Sequence, residues 1–339
     1  MDCSAGFVYC GVDVRIPMLN GMIPLLVLVG PTSVGKTELS LHLAARLGAE
    51  IVSADSRYLY RGLDIGTAKP GRTELARIPH HLVDVTAPDQ PWSLAEYKRA
   101  AVAAIADIYA RGRLPLLVGG TGQYVRALLE GWQIPAGGGD LQLRARLTAQ
   151  AETAGGLAAL YAQLTELDAG GAVQIDARNP RRVVRALEVC LTTGRPFSAQ
   201  RMRLAPAYGI CQIGLTLPRA ELYARIDARV DQMLNDGLLA ETQRLAAQGL
   251  AWDLPALSAL GYRQLGAHLR GECSLAEAVL RIKHDTRRFS RRQYAWFSLS
   301  NAEITWFDVV RTPRAQIEQH VVGALQKAGY EVPAGRIGT

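Results

Sequence analysis

A glycine-rich segment near the start of the chain has residue types that hold phosphate groups. Residues 30–37, "GPTSVGKT", match the pattern G-x-x-x-x-G-K-[ST]. The glycines let successive backbone N–H groups point at phosphate oxygens, Lys36 adds a positive charge, and the Thr37 hydroxyl can ligate Mg²⁺. The segment follows an apolar run and opens a helical pattern, which favours a phosphate loop over a glycine turn without function. The predicted loop comprises Gly30, Pro31, Thr32, Ser33, Val34, Gly35, Lys36 and Thr37.

The carboxylate that normally accompanies such a loop is missing. Nucleoside triphosphatases usually have an apolar strand that ends in Asp and holds the Mg²⁺ shell. Here the best candidate strand ends in "GGTG", with Thr121 where a carboxylate is expected. Asp55 instead follows the apolar residues 51–52, and the ends of parallel strands face the ligand crevice. Asp55 is therefore a candidate general base, with a helix cap as the alternative.

A basic run near residue 287 is the second candidate binding feature. Residues 281–292 contain six basic residues and one acid. At helical spacing, Ile282, Phe289 and Trp296 form an apolar stripe between two basic rows. This pattern suits contacts with nucleic-acid phosphates, although a charge run is more often a solvated face. The basic rows consist of Arg281, Arg288 and Arg292 on one side and Lys283, Arg287 and Arg291 on the other.

Alternating strand and helix patterns predict the scaffold that positions these residues. Apolar runs at 25–29, 51–53, 114–118 and 210–217 indicate strands, and the segments between them have helical period. This alternation predicts an α/β fold with a P-loop NTPase-like parallel sheet and flanking helices. Downstream of the last strand, helical character is expected over 219–248, 256–269 and 275–298.

The pattern breaks after residue 131, where "IPAGGGD" leads into a region of helices without strands. There, Asn179 as cap and Pro180 as first residue predict a helix. Its buried face should carry Val183, Val184, Leu187 and Cys190, and its outer face Arg181, Arg185 and Glu188. The predicted organisation is an N-terminal tail (1–22), a first core part (23–131), an inserted all-helical domain (132–206), a second core part with basic helices (207–312), and a C-terminal helix and tail (313–339).

Composition and cysteine usage narrow the class of protein. With 49% hydrophobic and 20% charged residues, the chain has an ordinary globular composition. No apolar run is long enough to span a membrane, and residues 1–22 lack the pattern of a secretion signal. The five cysteines are not spaced as metal or redox pairs, which predicts a reduced cytoplasmic protein. The net charge of +7 is modest for this length, but its concentration at residues 281–292 indicates a polyanionic partner. A monomer is expected.

Eight segments in order resemble the bacterial tRNA dimethylallyltransferase family, also called tRNA isopentenyltransferases. They extend over residues 24–298, and eight segments in register are far more specific than the phosphate loop alone. The segments are "GPTSVGKT" (30–37), "EIVSADSRYLYRGLDIGTAKP" (50–70), "PHHLVDV" (79–85), "LLVGGTGQYVRALLEG" (116–131), "NPRRVVRALEV" (179–189), "TGRPFS" (193–198), "ALGYRQL" (259–265) and "TRRFSRRQYAWF" (286–297).

The resemblance implies transfer of a dimethylallyl group from dimethylallyl diphosphate to the N6 amine of the adenosine directly 3′ of the anticodon, in tRNAs that read codons starting with U. The phosphate loop and Mg²⁺ on Thr37 would hold the leaving diphosphate. Asp55 matches the family's general base, and Thr121 matches a residue beside the substrates. Arg225 matches an arginine that contacts the diphosphate, with Arg229 as a competitor. Without the resemblance, both arginines read equally well as a solvated face with salt bridges to Asp227 and Asp231.

The partner implied by the resemblance is the anticodon stem-loop of tRNA, contacted in part through the helical insertion. Predicted tRNA contacts are Asp55, Ser56, Arg57, Tyr58, Thr121, Arg144, Arg181, Arg182, Val183, Val184, Arg185, residues 258–263 with Gly261, Tyr262 and Arg263, and residues 286–293 with Arg287, Arg288, Arg291, Arg292 and Gln293.

Departures from the family pattern are few. Gln123, Leu141 and Ser298 replace a usual apolar residue, a usual proline and a usual arginine, and the last weakens the expectation of one phosphate contact. His80 and His81 are expected to be structural or tRNA-facing, since they lack ligand spacing for a metal. Two alternatives remain: a P-loop small-molecule or nucleotide kinase, and an RNA-binding protein whose loop senses nucleotide.

Overall fold

The computed structural model describes residues 22–134, 140–200, 204 and 208–332. Residues 1–21 of the predicted N-terminal tail, most of the "IPAGGGD" junction, and the last residues of the C-terminal tail lie outside the described residues. Cys3 and Cys10 also lie outside. Within the described residues, no helix is long and apolar enough to cross a membrane.

The predicted parallel α/β fold is confirmed. In the described part of the chain, a six-stranded sheet has the order β3-β2-β4-β1-β5-β6, and every neighbouring pair is parallel. The four predicted strands form its centre, while the two edge strands were missed. The strands are β1 (Ile23–Val29), β2 (Ala49–Ser53), β3 (His80–His81), β4 (Leu114–Val118), β5 (Tyr208–Thr216) and β6 (Thr305–Asp308).

The helices occupy the segments between and after the strands. They are α1 (Lys36–Leu47), α2 (Arg72–Arg77), α3 (Leu94–Ala110), α4 (Gly122–Leu129), α5 (Leu141–Ala151), α6 (Gly156–Leu167), α7 (Ala169–Ala172), α8 (Pro180–Thr193), α9 (Arg219–Asn235), α10 (Leu238–Ala247), α11 (Tyr262–Leu269), α12 (Leu275–Trp296) and α13 (Arg314–Lys327), with a 3₁₀ turn at Ser198–Gln200.

The chain divides into two compact units, of which the first contains the sheet. Among the described residues, this unit comprises 22–92, 98–125 and 208–332. Strand β1 is fully buried from Leu25 to Val29, because both faces of a central parallel strand are covered. One core joins the sheet to α1, α9 and α13, with Leu43, Ile213 and Val321 fully buried. The loop between β1 and α1 is thereby fixed at the carboxyl edge of the sheet.

The helical region at 219–248 is two helices and not one. Helix α9 ends at Asn235, and Gly237 has φ 100°, a left-handed conformation that glycine adopts readily. The chain reverses there, so that α9 and α10 pack together with α11 and α12 around a second core. That core includes Val230, Leu238, Tyr262 and Ile282.

The second unit comprises residues 93–97 and 126–206, and α5, α6 and α8 form its core. As predicted, the Asn179 side chain caps α8 by accepting the Arg182 N–H, and Pro180 is the first helical residue. The expectation that Glu188 lies on the outer face is wrong. Glu188 is fully buried, and its carboxylate accepts hydrogen bonds from Arg144 and Arg185, which compensates the buried charge.

Candidate active site

The phosphate loop has the backbone shape that an anion-binding turn requires. Gly30, Ser33 and Gly35 have φ of 145°, 64° and 104°. A Cβ on Gly30 would lie 2.6 Å from the carbonyl oxygen of Leu215, so only glycine fits where the loop leaves β1. Gly35 then leads into α1 at Lys36, and the first turn of a helix favours anions.

Lys36 is positioned inside the loop by the loop's own backbone. Its Nζ donates to the carbonyl oxygens of Gly30 at 2.9 Å and Pro31 at 2.7 Å. Burial lowers the pKa of Lys36 to about 7; the carboxylate of Asp55 opposes this shift, and the charge of Arg229 adds to it. A bound anion would favour the protonated amine.

Asp55 and Thr121 are brought together by adjacent strands. The strand ends of β2 and β4 are linked by hydrogen bonds from the Ala54 N–H to the Val118 oxygen and from the Thr121 N–H to the Ala54 oxygen. The Thr121 hydroxyl accepts the Ser56 N–H at 3.1 Å. One carboxylate oxygen of Asp55 accepts the Arg57 N–H at 2.8 Å, which fixes the side chain.

Two adjoining cavities open at this edge of the sheet. The first, here called the phosphate cavity, has a volume of about 870 Å³ and is lined by Lys36, Thr37 and Tyr58. The second, here called the acceptor cavity, has a volume of about 510 Å³ and contains Thr121 and Arg57. Asp55 lines both cavities, together with Thr32, Ser33, Thr67, Gly120, Arg229, Phe289 and Gln293.

Both arginines considered for the diphosphate reach the site. Arg225 and Arg229, one turn apart on α9, line the phosphate cavity. Arg229 also lines the acceptor cavity, and its guanidinium donates to the Thr32 hydroxyl at 3.4 Å. Neither forms the salt bridge expected from sequence, since Asp227 pairs with Arg287 and Asp231 with Lys283.

Helix α12 presents its basic residues in two different ways. Arg287 is paired with Asp227 and Lys283 with Asp231, so one basic row is partly neutralised by α9. Arg288, Arg291 and Arg292 are exposed. The exposure of the predicted apolar stripe increases along the helix: Ile282 is buried, Phe289 is half-buried, and Trp296 is exposed.

Four predicted tRNA contacts have buried side chains. Val183 and Val184 lie in the core of the second unit, and Tyr262 lies in the core around α11. Gln293 is 5% exposed, and its amide is bound to the backbone of Thr32 and Gly120. In the described structure these four side chains are packed or hydrogen-bonded inside the protein, and of the four only Gln293 also lines the two cavities.

The other predicted contacts differ in exposure. Arg181 and Arg182 are exposed at the start of α8, while Arg144 and Arg185 are half-buried on Glu188. Arg57 binds the Pro255 oxygen and the Ser258 hydroxyl at the acceptor cavity. Gly261 and Arg263 also line that cavity, and Arg263 pairs with Asp285.

Sequence patterns missed part of the site. Lys69 lines the phosphate cavity, yet its side chain is only 3% exposed and its ammonium binds the carboxylates of Asp64 and Asp84. Asp64 is five residues and Asp84 fifteen residues from Lys69, but no periodic pattern links the three, and the only sequence signal for Lys69 is its place in "DIGTAKP". His81 binds Glu50, in keeping with a structural role. Among the described residues, no group of three His, Cys, Asp or Glu is arranged for a metal.

Comparison with known proteins gives consistent matches. The family model "IPP transferase" matches residues 58–300, and "Isopentenyl transferase" matches residues 23–86. A tRNA dimethylallyltransferase of Roseiflexus sp. (strain RS-1) is 55% identical over 276 residues, which cover 81% of this chain and 90% of the relative. One from Thermomicrobium roseum is 50% identical over 314 residues, covering 92% and 95%. The crystal structure of a tRNA isopentenylpyrophosphate transferase from Bacillus halodurans superposes with a TM-score of 0.67, at 38% identity, covering 90% and 98%.

Proposed function

Since the chain belongs to the tRNA dimethylallyltransferase family, as its eight segments predicted, we propose that it transfers a dimethylallyl group from dimethylallyl diphosphate to a tRNA. The acceptor is the N6 amine of the adenosine directly 3′ of the anticodon, in tRNAs that read codons starting with U. The observation that carries the proposal is the position of Asp55, which lines both the phosphate cavity and the acceptor cavity.

The acceptor adenine leaves its stack and enters the acceptor cavity beside Thr121 and Arg57, as a base must when an enzyme modifies it. Asp55 then takes a proton from the N6 amine as the nitrogen attacks the allylic carbon. The new C–N bond forms as the C–O bond to the diphosphate breaks, and the bonding electrons leave with the diphosphate oxygen. The proton stays on the Asp55 carboxylate until solvent removes it.

On the donor side, the phosphate loop holds the diphosphate while negative charge accumulates on the oxygen that leaves the allylic carbon. Lys36, Arg225 and Arg229 all line the phosphate cavity, so their charges act directly on the leaving group. Tyr58 lines the same cavity, and its hydroxyl is tied to the Ala68 oxygen at 2.7 Å. Burial and the nearby Asp55 raise the pKa of Tyr58, so that it stays neutral next to the donor.

The oxygen atoms at the phosphate loop fit a Mg²⁺ ion that takes most of its ligands from the diphosphate and water. Thr37 lines the phosphate cavity and offers one hydroxyl oxygen, while a cluster of three acidic or imidazole side chains is absent from the described residues. Mg²⁺ commonly takes one or two protein oxygens and completes its octahedron with phosphate oxygens and water. Bound there, the ion would neutralise charge on the departing diphosphate.

The exposed arginines of α12 are proposed to contact the phosphates of the anticodon stem-loop. Arg288, Arg291 and Arg292 have accessible charges, and phosphate contacts position a nucleic acid without reading its sequence. Arg181 and Arg182 of α8 are proposed as further contacts.

The test is to incubate the protein with Mg²⁺, dimethylallyl diphosphate and tRNA, digest the tRNA, and analyse the nucleosides by mass spectrometry. We expect one added five-carbon group on adenosine, with diphosphate released in equal amount. The matched control is the same tRNA with guanosine at that position, which should give neither product. ATP turnover in the absence of tRNA, without prenylated adenosine, would instead support a kinase.

A further inference from the structure

Gln293 of α12 bridges two loops of the site with a single side chain. Its Oε1 accepts the backbone N–H of Thr32 at 2.8 Å, and its Nε2 donates to the backbone oxygen of Gly120 at 3.0 Å. Gln293 is 5% exposed; its hydrogen bond to the Gly120 oxygen is buried, and the one from the Thr32 N–H is partly buried. One amide therefore joins the phosphate loop to the turn after β4.

Both partners of Gln293 lie next to groups with proposed chemical roles. Thr32 and Gly120 line the phosphate cavity and the acceptor cavity. Gly120 precedes Thr121, whose backbone and hydroxyl hold the segment that carries Asp55. The distance between Thr32 and Gly120 consequently sets the distance between the phosphate loop and the segment that carries Asp55.

The fit around this amide is tight on the side of Gly120. A Cβ on Gly120 would lie 2.2 Å from Gln293 Nε2 and 3.4 Å from the Gly30 oxygen. Gly120 does not have a positive φ, so its backbone conformation would accept alanine. A side chain at position 120 would therefore displace the Gln293 amide.

We propose that Gln293 is a positioning residue, which holds the phosphate loop in register with the Gly120 turn so that the diphosphate and Asp55 face the same point. This role differs from the direct tRNA contact predicted from sequence, and it rests on the proposed transfer reaction. Neighbouring Arg291 and Arg292 are exposed. The same segment of α12 therefore carries charged side chains on the protein surface and the buried Gln293 side chain next to the site.

The first test is Gln293→Met, which keeps the length of the side chain and removes both hydrogen bonds. Loss of both hydrogen bonds would release the phosphate loop from the Gly120 turn. Because the loop would then have to be ordered on binding, the affinity for Mg²⁺-diphosphate should fall about tenfold. The KM for dimethylallyl diphosphate should rise by a similar factor and the single-turnover rate should fall, while the Kd for tRNA stays within about twofold. Isothermal titration calorimetry with inorganic diphosphate and Mg²⁺ measures the donor side without tRNA.

The matched control is Gln264→Met. Gln264 is also 5% exposed; it accepts the Gly261 N–H at 3.0 Å and donates to Asp285 at 2.8 Å, and it lines neither cavity. We expect it to lower the melting temperature about as much as Gln293→Met while leaving diphosphate affinity unchanged. Equal loss of diphosphate affinity in both variants would reduce Gln293 to a general stability residue.

A double-mutant cycle tests the contact itself. Gly120→Ala alone should weaken diphosphate binding, because the new methyl group displaces the amide. In a Gln293→Ala background the same change should cost little, since the atom at 2.2 Å is gone. Equal costs in both backgrounds would overturn the inference, as would a loss of tRNA affinity with diphosphate affinity intact. Absence of prenylated adenosine with the unaltered protein would refute the proposed function, whereas the diphosphate titrations would still test the bridge.

Discussion

Replacement of Asp55 by Asn isolates the proton-accepting role of this carboxylate. Asn has nearly the same shape, and its side-chain oxygen can still accept the Arg57 N–H that Asp55 accepts at 2.8 Å. The turn at residues 55–57 should therefore keep its conformation, and the Kd for tRNA should stay within about threefold. What is lost is the group that takes a proton from the N6 amine.

General-base catalysis contributes roughly 10²- to 10⁴-fold, so the single-turnover rate of prenyl transfer should fall by that factor. This corresponds to about 3–5 kcal/mol of activation free energy. Because the Asp55 carboxylate raises the pKa of Lys36, its loss should lower that pKa, and the fall in diphosphate affinity with rising pH should begin at a lower pH.

The assay is rapid-quench single turnover at saturating donor, with diphosphate affinity measured in parallel by calorimetry. Saturation removes the effect on donor binding and leaves the chemical step. A rate within tenfold of the unaltered protein would refute Asp55 as the base, and a large loss of tRNA affinity would make it a structural residue.

Three further predictions concern charge. With the pKa of Lys36 near 7, diphosphate binding at pH 8 should take up about one proton, and the affinity for diphosphate should fall as pH rises above 7. Calorimetry in buffers of different ionisation enthalpy measures the proton uptake. The Lys36→Met variant should show no such uptake. Glu188→Ala should lower the free energy of unfolding by about 2 kcal/mol in urea titrations, since it breaks buried charge-assisted hydrogen bonds, and Glu188→Gln should lose less. Arg291→Gln should lower the salt slope of tRNA binding by about 0.7–0.9, whereas Arg287→Gln should lower it less, because Asp227 already neutralises that charge; equal slopes would contradict this assignment.

The centre of the fold was predictable because buried parallel strands read as continuous apolar runs, and β1 and β4 do so. The edge strands were not, since β3 is only two histidines and β6 carries half-buried residues with no apolar run. The break at Gly237 was missed because a helical period continues on both sides of it.

In the site, residues with local signatures were predictable, and residues that act through distant partners were not. The phosphate loop and Asp55 are read from short segments. Gln293, by contrast, accepts a hydrogen bond from a backbone N–H that is 261 residues away in sequence. Glu188 is buried under Arg144 and Arg185, and a helical wheel does not predict burial from such residues. Such roles depend on tertiary contacts that periodicity does not encode.

The absence of a carboxylate after β4 has a packing reason that bears on the chemistry. A Cβ on Gly119 would lie 2.3 Å from the Ala54 backbone oxygen, and a Cβ on Gly120 would meet the Gln293 amide. Gly119 therefore has no room for the Asp that a nucleoside triphosphatase places at a strand end, and an Asp at position 120 would displace the Gln293 amide. The space beside the phosphate loop is filled by the segment that brings Asp55 and Thr121 together. The same packing that leaves no side chain at Gly119 thus places the Asp55 carboxylate between the two cavities, which is where the proposed transfer to an amine requires a base.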